Sequence, residues 1–156
     1  TGPDGILATA RPGTVVASNA SAQGAGTTPD YLEYRRTNFV LVLHDDGTLG
    51  EYMHLAPSSI EVSPGQRVAR GQELALSGNT GFSSTPHLHF QVTDGPQPLA
   101  SDGLPFVFRR FSLAGEVSNL GQFLTGAANA DIRPVARAGR QRDELPLHAA
   151  VVRFPR

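Results

Sequence analysis

Within IEVSPGQRVARGQELALSG, from Ile60 to Gly78, glycine twice centres a turn, at Pro64-Gly65 and at Arg70-Gly71. The apolar segments between, beginning with Val62, Val68 and Leu74, are too short for helices and suit strands. The spacing predicts a tightly folded meander. The same punctuation runs through the chain: 17 glycines and 12 prolines in 156 residues separate runs rich in Val, Leu and Phe. Helical periodicity is hardly visible. The fold class expected is all-β, an antiparallel sheet core built from tight hairpins.

ILATA and GTVVAS predict the first two strands, and SNASAQGAGTTPD reads as a polar loop too flexible to join a sheet. TNFVLVLH, the turn signal DDG and TLGEYMHL together predict a hairpin. HLHFQV is the last core strand. Beyond it, DGPQPLASDG reads as a loop and LPFVFRRF as a short strand. Residues 113 to 143, rich in Gly, Ala and Arg, give no firm pattern. LPLHAAVVRF suits either a terminal strand docked on the sheet or a frayed tail. The organisation expected is a β core over residues 1–112 and a C-terminal extension over 113–156.

Composition removes several function classes. Without cysteine there is no disulfide framework. Thirteen basic residues against 14 acidic ones leave a net charge of −1, which argues against a nucleic-acid partner held by a positive field. Every basic residue is arginine, so a Schiff base, a P-loop lysine and a lysine-borne prosthetic group are all excluded. No apolar run approaches the roughly 18 residues of a spanning helix, so no integral membrane segment is expected.

Of the five histidines, three form a pattern. His87 and His89, separated by Leu88, share one face of a strand, with Leu88 and Phe90 on the other. One imidazole of such a pair can ligate a metal while the other moves a proton of the metal's water. Zinc suits the arrangement, since it takes neutral imidazole and keeps a position open for water. Spacing alone more often marks a surface strand with two solvated histidines, or with one satisfied in the core. In EYMHL, alternation places Tyr52 and His54 on one face and Met53 and Leu55 on the other. If that strand neighbours the His87 strand, three imidazoles converge on one groove. His44, before the DDG turn, reads as structural or exposed, and His148 carries no argument.

In order and near-family spacing, PGTVVAS, TNFVLVLHDDGTLGEYMHL and VSPGQRVARGQELALSGNTGFSSTPHLHFQV resemble the lysostaphin-like, or LytM-type, zinc metallopeptidases that cut peptide cross-links in bacterial cell walls. The resemblance covers about residues 3 to 93. It implies a LytM-type, barrel-sandwich-hybrid-like β core with zinc as cofactor and His89 as a zinc ligand. It also implies that His54 and His87 line the site, polarising the scissile carbonyl, stabilising the oxyanion and handling the proton of the zinc-bound water. The partner implied is the peptide of peptidoglycan, and the location periplasmic, cell-envelope or secreted.

Members of that family also carry a His-x-x-x-Asp pair before the strand matching DGILATA, and no such pair occurs here. Asp4 falls in the turn that follows the pair, and His44 is followed at once by Asp45 and Asp46. A single histidine does not hold catalytic zinc, so the chain by itself is expected to be inactive. Two explanations stay open. The sequence, which starts at Thr1 without methionine or signal-peptide pattern, is the C-terminal part of a normal peptidase; or it is a degenerate domain that binds peptidoglycan or regulates another hydrolase. Retention of His54, His87 and His89 favours the first.

Two other classes are weighed on the residues. VSPGQRVARGQELA is similar to the hairpin of biotinyl and lipoyl carrier domains, whose acceptor lysine is absent. A sugar-binding scaffold expects aromatic platforms, but tryptophan is absent and only three tyrosines occur. Tyr31 and Tyr34 flank the flexible loop and suit the wall of a groove. Arg35, Arg36, Arg109 and Arg110 read as a solvated face.

Overall fold

The computed structural model describes residues 5–97 and 101–155, and Asp4 lies outside them. The chain forms two compact units, Thr1–Leu104 and Pro105–Arg156.

The first unit is built from short strands. β1 (Ile6–Ala8) and β2 (Gly13–Asn19) open it, followed by β3 (Ala25–Gly26). The hairpin β4 (Phe39–His44) and β5 (Leu49–Met53) comes next, then β6 (Arg67–Val68), β7 (Glu73–Leu76), β8 (Gly81–Phe82) and β9 (His89–Thr93). β6, β2, β4, β5 and β9 make an antiparallel five-stranded sheet in that order. β1 and β7 form a separate antiparallel pair.

β4 is apolar on both faces because both are covered. Val40 and Val42 join Leu7, Val15, Tyr52, Leu55, Val62, Val68 and Leu74 in one core. Phe39 and Leu41 pack with Leu49 and Met53 in a second. Each fully buried aliphatic side chain contributes roughly 1.5–3 kcal/mol relative to exposure. The Tyr52 hydroxyl accepts a 2.7 Å bond from the Ala10 amide, tying the hairpin to the β1–β2 link.

Two sequence expectations change here. The Gly65 and Gly71 turns exist, with φ of 90° and 83°. They do not fold a meander, because β6 pairs with β2 and β7 with β1, so consecutive strands enter different sheets. Val62 is buried without belonging to a strand. The loop after β2 also contributes to a sheet. Two of its residues, β3, pair in parallel with β8, and at Gly26 a side chain would collide with the Tyr31 ring.

In the second unit β10 (Phe111–Val117) lies centrally and pairs antiparallel with β11 (Ile132–Arg133), β12 (Gly139–Gln141) and β13 (Ala150–Arg153). A single-turn helix, α1 (Leu120–Leu124), precedes β11. LPLHAAVVRF therefore supplies a strand, paired with β10. LPFVFRRF does not: only Phe108 makes a bridge before β10 begins at Phe111. Pro105 cannot donate to a ladder, and Val107 is exposed.

His44 is buried, its Nδ1 bonded to the Thr48 hydroxyl at 2.9 Å. Burial, helped by Arg11 and opposed by Asp46 and Asp45, holds its pKa below the ordinary 6.5. As pH falls below 6.5, the unfolded chain takes up this proton before the folded protein does. The stability it contributes is present above that pH and is lost as pH falls from there toward the depressed folded value. Thermal midpoints measured across this window should decline with acidification and decline less in His44→Gln. The slope should not vanish, because buried His54 is shifted in the same direction.

Candidate active site

β5 and β9 are adjacent and in register, with Met53 opposite His89 and Tyr52 opposite Phe90. Directly opposed side chains share a face. His89 thus shares the face of Met53, Glu51 and Gln91, while Phe90 stacks on Tyr52 over the first core, with ring centroids 4.9 Å apart.

Strict alternation would send His54 to the Tyr52 side, but β5 ends at Met53 and His54 has φ of 63°. A left-handed residue breaks the two-residue period. The His54 ring then lies 4.7 Å from that of His87 and 5.9 Å from that of His89. The face assigned to His54 from the sequence is thereby corrected, and the three imidazoles do meet. His87 is not part of β9; it joins by an isolated bridge to Gly78, and regular pairing starts at His89.

Each ring has one nitrogen engaged. His54 Nδ1 donates to the Thr80 carbonyl at 2.7 Å, leaving Nε2 as its acceptor. Burial, reinforced by His87 and His89 and opposed by the bond to Thr80, holds the His54 pKa below 6.5, so the ring is neutral at neutral pH. His87 Nδ1 donates to the Thr85 carbonyl at 2.8 Å, with the Ser83 hydroxyl 3.3 Å away. His89 Nε2 is 3.1 Å from Gln91 Oε1.

The support beneath His54 is polar and buried. The Asn38 amide donates to Thr80 Oγ1, which donates to the Leu55 carbonyl, both at 3.0 Å. The Asn38 side chain exchanges 2.9 Å bonds with the Ala22 backbone. Gly78 links the two histidine segments, its N–H donating to the His54 carbonyl and its carbonyl accepting from the His87 N–H. Sequence reasoning did not single out Asn38, Thr80, Glu51 or Gln91. The signal for Asn38 and Glu51 was a polar residue beside or inside a run otherwise fit for burial.

Zinc in a hydrolytic site takes three protein ligands. Among the described residues no group of three His, Cys, Asp or Glu is placed to hold a metal ion. The chemistry of His89, an imidazole with its Nε2 held by Gln91, fits one such ligand.

The fold is that of a lysostaphin-like metallopeptidase domain. Residues 2–101 match the profile of peptidase family M23, and the chain belongs to that family. It is similar to the peptidoglycan DD-endopeptidase ShyA of Vibrio cholerae, with 42% identity over 62 residues, 40% of this chain and 14% of that protein. It is 36% identical to lysostaphin of Staphylococcus simulans over 80 residues, 49% of this chain and 16% of that one. Among solved structures, the lysostaphin catalytic domain from Staphylococcus simulans aligns with a TM-score of 0.50 and 27% identity, covering 66% of this chain and 69% of that domain. The chain thus spans about one seventh of the length of these two curated relatives. Among the described residues no helix is long and apolar enough to cross a membrane.

Proposed function

We propose that this domain acts outside the cytoplasmic membrane as a zinc metallo-endopeptidase on the peptide cross-links of bacterial peptidoglycan. The observation that carries the reading is the cluster of three imidazoles in which His54 and His87 each have Nδ1 engaged and, among the described residues, no hydrogen bond to Nε2. Its membership of a peptidase family whose relatives include peptidoglycan and glycyl-glycine endopeptidases supports the substrate.

In this reading His89 is one zinc ligand. Bound zinc supplies a Lewis acid for the scissile carbonyl and lowers the pKa of its water. His54, kept neutral by burial, is equipped to accept a proton at Nε2. His87, more exposed and beside it, also has its Nδ1 proton on the Thr85 carbonyl, so its Nε2 accepts a proton first and only then is equipped to donate it to the developing oxyanion.

The absence of a three-donor metal group among the described residues favours a second reading. In it the domain binds peptidoglycan, or regulates another hydrolase, without cleaving. Purified sacculi incubated with the intact gene product separate the two. Cleavage predicts conversion of cross-linked muropeptides to monomers, stopped by a chelator and restored by zinc. Sedimentation with sacculi while every cross-link survives would overturn the hydrolytic reading and leave the binding one.

A further inference from the structure

Glu51 is wholly buried in the middle of β5, in a strand whose every residue is buried. A buried carboxyl group costs several kcal/mol unless it is hydrogen-bonded, and no ion pair found among the described residues includes it. Its close contact is with Gln91, directly opposite on β9, whose Nε2 donates to Glu51 Oε2 at 2.6 Å. Thr93 Oγ1 is more distant, 3.4 Å from Oε1, and donates at 3.0 Å to the Gly95 carbonyl instead.

We propose that Glu51, acting through Gln91, is a positioning residue that fixes the proton of His89 on Nε2 and leaves Nδ1 as its free nitrogen. A glutamine amide has one donor end and one acceptor end. With Nε2 committed to Glu51, the end 3.1 Å from His89 is the oxygen, which only accepts. Turning the amide over would set two oxygens 2.6 Å apart inside the sheet. With the amide in this orientation His89 donates from Nε2, and a neutral imidazole that donates there keeps its lone pair on Nδ1. A ligating histidine is oriented this way when its second nitrogen donates to a fixed acceptor. Glu51 thus selects the ligating atom from two residues away across the strand pair, without touching His89. This inference rests on the proposed role of His89 for its meaning, but the tautomer it specifies exists without zinc.

The test is 15N NMR of the imidazole nitrogens in the full chain, without metal and above the histidine titration range, with the His89 signals assigned by their loss in His89→Ala. Protonated and lone-pair nitrogens resonate far apart. The wild-type protein should show Nε2 as the protonated nitrogen and Nδ1 as the lone-pair nitrogen. Glu51→Leu should lose that bias, giving averaged tautomers. Gln91→Leu, at a half-buried position, should lose it with Glu51 intact, and decides the matter if Glu51→Leu does not fold. A wild-type His89 protonated on Nδ1, or an unchanged bias in Gln91→Leu, overturns the proposal. A tautomer controlled as described in a protein that never cleaves peptidoglycan overturns the functional reading and leaves the relay standing.

Discussion

Gly78→Ala is expected to destabilise the first unit by roughly 1–3 kcal/mol or more, the range for overpacking, and to separate His54 from His87. The added methyl would lie 2.4 Å from both N and Cα of Ala56 and 2.7 Å from the carbonyl carbon of Leu55. All of these atoms are backbone, so no side-chain rotation relieves the overlap. Relief requires the two segments to part, and they are joined here by the hydrogen bonds from Gly78 to the His54 carbonyl and from His87 to Gly78. A displacement of about 1 Å at positioned catalytic groups can cost on the order of a hundredfold in rate. Gly24→Ala is the control, because a methyl there meets nothing within 4 Å. Urea midpoints and muropeptide release should both fall for Gly78→Ala and stay near wild type for Gly24→Ala. Equal midpoints for the two variants would show that the close approach at Gly78 does not constrain the fold.

The same segment shows what a sequence can and cannot convey about this site. The β4–β5 hairpin was legible because FVLVLH, DDG and TLGEYM carry local signals, and Asp46 Oδ1 accepts from both the Thr48 amide and hydroxyl in the turn they form. The candidate histidines were legible because their spacing within short strands is local too. The partners of β6 and β7 were not: pairing with β2 and β1 joins residues far apart in the chain, and glycine turns fix only the turn. The left-handed backbone at His54 had no signal either, since glycine or asparagine is the residue that announces such a conformation. Alternation carried through Met53 consequently put His54 on the wrong face. Glu51 was visible as a charge in an apolar strand, but its use depends on Gln91 lying opposite, which only the β5–β9 register supplies.

His89→Ala is expected to abolish zinc binding by the intact gene product and, with it, hydrolysis of peptidoglycan cross-links. His87→Ala is expected to keep the metal and to slow turnover by roughly 10²–10⁴-fold, the usual contribution of a positioned acid or base. The contrast follows from what holds each ring. His89 is placed opposite Met53 by regular pairing, and its Nε2 is committed to Gln91, which gives Nδ1 a fixed direction. His87 sits outside β9, held by one backbone bridge and by Thr85 and Ser83, next to the neutral ring of His54. That setting suits a group that hydrogen-bonds a changing charge better than one that holds a metal still. Metal content by mass spectrometry, measured beside muropeptide release for each variant, reads the two roles separately. Loss of zinc from both variants would mean that His87 ligates as well, and proton transfer would then fall to His54 alone.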